Sequence, residues 1–301
     1  MASLPTPTNY RIRQQIGVGA RSTISLATDL RTGKSVAIKQ VLRESADDDR
    51  FVEQVETEHK VCEALDHKYL RKTLEIHRVR RLLVVKEILL VMEYVEGLTL
   101  EKARPNRLNT FLTIIRRVAQ GLATLHGSGF VHSDLKPSNI MLGANGILKI
   151  IDFGQSCPIG HKKDRIQGTP DYIAPEQVRR LPLDERTDVY NLGATMYWLL
   201  TSENYPTAIQ GPDPRGGVRL VTSDRPLAPL ELNDKIPLSL SKLVMQCCSD
   251  NPADRPSDMA QLSARLEVVQ KLWQKQCAAY RAKRSGVRVE ARDPGIHEIK
   301  D

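Results

Sequence analysis

The chain has 301 residues, 41% apolar and 27% charged, with 44 Lys and Arg against 36 Asp and Glu for a formal charge of +8. That balance fits a folded globular protein and excludes disordered, collagen-like and fibrous classes. The length allows roughly two domains, each with its own core. Five cysteines, Cys62, Cys157, Cys247, Cys248 and Cys277, form no CxxC pair, so neither a disulfide framework nor a zinc site is expected. No apolar signal-peptide stretch lies in residues 1–15, and the most apolar window, Leu82 to Val95, is interrupted by Lys86 and Glu87. The expectation is a cytoplasmic protein with no membrane span.

Taken in chain order, Tyr10 to Ile16, Thr23 to Leu30 and Ser35 to Val41 are predicted strands, the last two joined by a hairpin turn at Arg31-Thr32-Gly33-Lys34. A helix follows, with Phe51, Val55, Cys62 and Leu65 on one face and Asp47, Asp48 and Asp49 at its positive end. Glu58 falls on that apolar face, where an unpaired carboxylate would be costly, so a buried partner is expected. Two more strands are predicted over Leu74 to Val85 and Ile88 to Val95, and Glu96-Gly97 breaks the pattern.

Between Arg71 and Lys86 lie six basic residues, Arg71, Lys72, Arg78, Arg80, Arg81 and Lys86, against Glu75 alone. With no aromatic residue interleaved as a stacking platform, the run reads as a solvated sheet edge guarded by charge, and no nucleic-acid partner is expected.

Helices dominate from there. Phe111, Ile114, Ile115, Val118, Leu122 and Leu125 mark one, closed by Gly127 and Gly129, and Val189, Leu192, Met196, Leu199 and Leu200 mark another. Short strands are predicted around Val131, over Ile140 to Leu142 and over Ile147 to Ile151, with an Asn145-Gly146 turn. Residues Glu203 to Pro237, rich in proline, read as irregular connection. The final helix is predicted from an N-cap at Ser257, with Met259, Leu262, Leu266, Val269 and Trp273 in a 3-4-3-4 stripe. Continued to Cys277 and Tyr280, that stripe is long enough to dock on its own domain, the ordinary outcome, or to contact a partner.

The chemistry-bearing residues fall in four groups. Gly17 and Gly19, in Gly17-Val18-Gly19-Ala20-Arg21-Ser22, lie between two strands, where glycine lets backbone amides approach a phosphate. Lys39 sits on an apolar strand and needs an anion, either a phosphate or the inward carboxylate of Glu58. The third group is His132-Ser133-Asp134-Leu135-Lys136-Pro137-Ser138-Asn139 and the fourth Asp152-Phe153-Gly154. Asp134, Asn139 and Asp152 supply oxygen ligands of the kind magnesium prefers, and Lys136 adds a positive charge beside them.

In these residues and their order, from about Tyr10 to Leu266, the chain resembles the eukaryotic-like protein kinase superfamily, in its serine/threonine branch. The resemblance implies an α+β bilobal fold: a small antiparallel β-sheet N-lobe with one main helix (10–93), a hinge (93–97) and a mostly helical C-lobe (98–267). Residues 1–9 would be an N-terminal extension and 268–301 a helical extension and basic tail. It implies ATP and Mg2+ as cofactors and protein substrates with Ser/Thr acceptors. Ile16, Gly17, Gly19, Ile24, Ala37, Lys39, Met92, Glu93 and Val95 would line the nucleotide site, with Met92 as gatekeeper. Lys39 would hold the α- and β-phosphates and Glu58 would pair with it, a match strengthened by His67 nine residues on. Asp134 would act as catalytic base beside Lys136, and Asn139 and Asp152 as metal ligands.

Further matches are Glu176 of Ala174-Pro175-Glu176 with Arg255, Asp188 as brace of the catalytic loop, and Thr169 as a substrate-positioning residue. Two positions depart from the pattern. Ser22 replaces the third glycine of the loop, and Ser133 stands where most members carry arginine before the catalytic aspartate. Because that arginine grips a loop phosphate, and only Ser156, Thr169 and Tyr172 carry hydroxyls between Gly154 and Ala174, activity independent of loop phosphorylation is expected. A catalytically silent scaffold with the same fold is the alternative reading.

Overall fold

The computed structural model describes residues 9–19, 21–143, 146–207, 209–212, 218–220 and 226–284. The expectations for residues 1–8, Ala20, Asn145, Pro214 and the tail beyond Arg284 lie outside the described residues.

The N-terminal part is a five-stranded antiparallel sheet in the order β1-β2-β3-β5-β4, formed by β1 (Tyr10–Val18), β2 (Ser22–Asp29), β3 (Ser35–Leu42), β4 (Thr73–Arg81) and β5 (Val84–Glu93). Period-2 side-chain alternation sends Ala37, Val41, Ile88, Leu90 and Met92 to one face of this sheet. Helix α1 (Asp49–Glu63) covers that face through Val55, with Phe51 and Val52 packed beside it. Asp48, buried just ahead of α1, accepts hydrogen bonds from the Glu44 and Ser45 amides and lies close to the helix's positive end.

The remainder is mainly helical. After β6 (Gly97–Thr99) come α2 (Leu108–Gly127), β7 (Phe130–Val131), β8 (Ile140–Gly143), β9 (Leu148–Ile150) and β10 (Cys157–Pro158). Then follow α3 (Pro175–Val178), α4 (Glu185–Thr201), β11 (Ile209–Pro212), β12 (Val218–Leu220), α5 (Pro229–Leu232), α6 (Leu238–Cys247) and α7 (Met259–Arg284). Strands β6, β8 and β9 form a small sheet, and β7 pairs with β10. The main core gathers Ile115, Val118 and Leu122 of α2, Leu192 and Met196 of α4, Val244 of α6 and Leu262 and Leu266 of α7. This is the bilobal architecture anticipated from the sequence.

Several boundaries moved. The break predicted near Lys86-Glu87 lies at Leu82-Leu83, because Leu82 takes φ 55° and the two leucines stand 93% and 96% exposed at a hairpin tip. Their apolar character hid the turn, while Glu87 is buried inside β5 and accepts from Gln40. Helix α7 starts at Met259, and Asp258 rather than Ser257 caps it, its carboxylate accepting from the Gln261 amide at 2.7 Å. The α7 stripe docks on its own domain as far as Val269, and Arg116 and Gln270 fasten α2 to it. Among the described residues of 203–237, α5 and the β11-β12 pair interrupt an otherwise irregular connection.

Candidate active site

Between the sheet and the helical part runs a cleft of about 370 Å³ lined by Ile16, Ile24, Ala37, Glu93 and Val95, together with Tyr94, Leu98, Met141 and Ile151. Five residues expected around a nucleotide therefore share one wall. Met92 is not in this lining: paired in register with Ala37, it is fully buried in the cluster of Ala37, Leu90 and Val55. Gly17 lies outside the lining as well. Its position has room for a methyl against Ile24, whereas at Gly19 a methyl would come within 2.6 Å of Ser22 Oγ, across a tight turn closed by Gly19 N donating to Ser22 O at 2.7 Å. Met141 is the second residue of β8, two positions past Asn139, and that short spacing is the signal that could have revealed it.

Continuous with β3, a second cleft of about 200 Å³ is lined by Gly19, Lys39, Asp134 and Asp152, with Phe51 of α1. Lys39 Nζ donates to Glu58 Oε2 at 2.8 Å and to Asp152 Oδ1 at 3.2 Å. Glu58, completely buried on α1, also accepts from Arg71 Nη2 at 2.6 Å. Burial works against the Lys39 charge, but the carboxylates of Glu58 and Asp152 outweigh it and raise its pKa. Conversely Lys39 holds the Asp152 carboxyl down, to about 2, against the opposing effect of burial. Both groups are charged at neutral pH. The basic run read as a solvated edge needs correction here: Arg71 is 8% exposed and belongs to this network, because the buried Glu58 carboxylate presents two oxygens and Lys39 satisfies one.

The loop after β7 carries the second cluster. Lys136 Nζ lies 3.1 Å from Asp134 Oδ2 and donates to Thr169 Oγ at 2.6 Å, and Thr169 in turn donates to Asp134 Oδ1 at 2.7 Å. Asn139 Nδ2 donates to the Asp134 carbonyl at 2.9 Å, which leaves its amide oxygen to serve as a ligand. The Ile151 amide donates to the Asn139 carbonyl at 2.9 Å and so draws Asp152 beside Asn139. The backbone is strained at two points, with φ 59° at Ser133 and 65° at Asp152. Fully buried Asp188 holds the first: Oδ1 accepts from Ser133 N and Oδ2 from His132 N, each at 2.8 Å, and His126 approaches Oδ2.

Farther along, Arg255 and Glu176 form a buried bidentate pair at 2.7 and 2.9 Å, joined by the Thr187 hydroxyl at 2.9 Å. Behind the cleft the two parts are fastened a second time. The Arg71 amide donates to Ile150 O at 3.0 Å and the Ile150 amide to Tyr69 O at 2.7 Å, a parallel bridge across Leu70 and Ile150. Lys149 Nζ reaches Glu93 at 2.9 Å and the Leu70 carbonyl at 3.3 Å. Neither Arg71 nor Lys149 carries a sequence signal of its own, because each acts through a partner far away in the chain.

Among the described residues no group of three His, Cys, Asp or Glu side chains is arranged to hold a metal by itself, and no helix is long and apolar enough to cross a membrane. A hard cation in this cleft would take the Asp152 carboxylate and the Asn139 amide oxygen and complete its shell from other oxygens, a donor set that suits magnesium.

A sequence model described as the protein kinase domain matches residues 10–273. A protein of Clostridium acetobutylicum named "Probable serine/threonine-protein kinase" is 28% identical over 254 residues, covering 82% of this chain and 37% of that protein. Serine/threonine-protein kinase PknB of Mycobacterium leprae is 30% identical over 266 residues, covering 85% and 42%. Serine/threonine-protein kinase PknL of Mycobacterium tuberculosis is 30% identical over 269 residues, covering 86% and 65%. The chain thus spans about two fifths of the length of the first two relatives, and the family model covers the stretch that builds the two lobes and the cleft. It belongs to the protein kinase domain family.

Proposed function

We propose that this chain is a serine/threonine protein kinase that transfers the γ-phosphate of ATP to Ser or Thr hydroxyls of proteins. What carries the reading is the convergence of Lys39, Asp134 and Asp152, from three distant stretches, on one small cleft beside an apolar slot. Ile16, Ile24, Ala37 and Val95 offer a flat apolar lodging for an adenine ring, and Gly19 lets the chain pass close over phosphates. Lys39, held by Glu58, supplies a fixed positive charge to the phosphates. Asn139 and Asp152 would hold Mg2+, which neutralises the charge that builds on the phosphoryl oxygens.

Asp134 is the residue that receives the substrate hydroxyl. Lys136 and Thr169 hold its two oxygens in one orientation, so the acceptor is presented in line rather than searched for. Lys136 also adds positive charge where the transferring group passes. Little covalent work falls to the protein, and its contribution is placement and electrostatics.

The test is transfer from ATP and magnesium to a generic protein by the full chain and by Asp134→Asn. A drop of about a hundredfold is expected, the scale of a lost positioned base. Equal rates would remove Asp134 from this role, and nucleotide binding with no transfer by the wild-type chain would favour the scaffold reading.

A further inference from the structure

Ser133 is the meeting point of four stretches of chain. Its amide is held by Asp188, its carbonyl accepts from Gln177 Nε2 of α3 at 2.7 Å, and its hydroxyl donates to the Gln155 carbonyl at 2.6 Å. The fourth stretch arrives through Lys163, from the middle of the segment joining Asp152-Phe153-Gly154 to α3. Its ammonium donates to Ser133 Oγ at 2.9 Å and to the same Gln155 carbonyl. Lys163 is 8% exposed. Among the described residues no carboxylate lies within ion-pair distance of its nitrogen, and burial lowers its pKa while the more distant Asp134 and Asp188 oppose that shift.

A buried ammonium without a carboxylate costs folding free energy, and an apolar side chain of similar length would be cheaper there. Packing therefore does not account for it. Its location does: Ser133 precedes Asp134, and Gln155 follows Asp152 by three residues, so one ammonium joins the Ser133 hydroxyl and the Gln155 carbonyl beside both carboxylates of the cleft. Two of the three hydroxyls of the same segment are turned inward, and Tyr172 is partly buried. Ser156 is 6% exposed, and the Thr169 hydroxyl is bound to Asp134.

We propose that Lys163 is a positioning residue for phosphate transfer: it fastens the segment to Ser133 and Gln155 from within, and so holds Asp134 and Asp152 in working register with no phosphate on the segment. The inference rests on the kinase reading above. A lysine of the segment itself reaches into the space left by a small residue at position 133. The anchor is thus carried by the segment itself and needs no modifying enzyme.

The experiment compares the phosphatase-treated full chain with Lys163→Met in two measurements. Steady-state transfer should show kcat lower by about tenfold or more, with KM for ATP within about twofold, since the segment is displaced while the nucleotide wall is untouched. Amide exchange should be faster across residues 155–167, with the exchange of α2 and α4 unchanged. An unchanged kcat in a transferring protein, or unchanged exchange over 155–167, overturns the proposal. If the wild-type chain transfers no phosphate, the kinase reading fails and the exchange measurement alone decides on Lys163. Should Lys163→Met not fold, Ser133→Ala, which removes the acceptor hydroxyl, undergoes both measurements with the same expected directions.

Discussion

Arg71 donates to Glu58 at 2.6 Å inside the core, which makes the carboxylate that holds Lys39 a shared one. Glu58 is fully buried, so both its oxygens depend on these two cations. Removing Arg71 leaves half of a buried charge unpaired, a loss of about 3–5 kcal/mol. Arg71→Met should therefore unfold at clearly lower urea concentration and transfer phosphate more slowly than the wild-type chain. A midpoint equal to wild type would mean that Lys39 alone satisfies Glu58.

The Lys39–Asp152 pair has a pH signature. The Asp152 pKa is held at about 2 in the folded chain against an ordinary 3.8, chiefly by the Lys39 charge. A depressed carboxyl contributes stability that is complete above its unfolded value and is lost as pH falls through the folded one. This contribution should fade between about pH 4 and pH 2. In Lys39→Met the carbon-detected NMR titration of Asp152 should move up from about 2, and the acid-side loss of stability should be shallower. An Asp152 midpoint unmoved by the substitution would exclude Lys39 as the cause.

Thr169 presents a cleaner test of orientation than of charge. Its hydroxyl bridges Asp134 and Lys136. Thr169→Val keeps the shape and removes the bridge, so transfer should fall by about tenfold or more with folding stability nearly unchanged, whereas Thr169→Ser should recover most of the rate. Equal rates for valine and serine would make the bridge irrelevant to the reaction.

Arg255 meets Glu176 with two parallel hydrogen bonds and is itself completely buried. Arg255→Lys supplies the charge without the fork and should recover little of the stability that Arg255→Ala loses, about 3–5 kcal/mol. Thermal unfolding of the two variants decides it. Full recovery by lysine would show that charge alone matters.

Much of this was legible in the sequence because the carrying residues stand in local context. Glu58 could be singled out as an acid on an apolar helix face, and Lys39 as a base on an apolar strand, so their pairing followed from the cost of leaving either alone. Asp134, Asn139 and Asp152 were legible from residue type and spacing. Arg71, Lys149 and Lys163 were not. Each is an ordinary basic residue in a basic chain, and what distinguishes it is a partner 13, 56 and 30 positions away respectively. Met92 is a different case: motif order alone singles it out, and it packs with Ala37 and Leu90 on one sheet face, outside the lining of the apolar cleft. The break at Leu82-Leu83 was missed because turn residues are recognised by polarity, and two leucines at a tip carry none.

The double fastening behind the cleft constrains how the molecule can breathe. With the 69–71 segment laddered to β9, and Lys149 tied to both Glu93 and Leu70, the lobes share a spine rather than a single cord. Sideways shear would break backbone pairs, so a clamshell opening widest at the Gly19 turn is the movement these pairs resist least. The same spine makes β9 common to both halves, so melting of the small sheet would pull on the larger core and couple the stability of the two lobes.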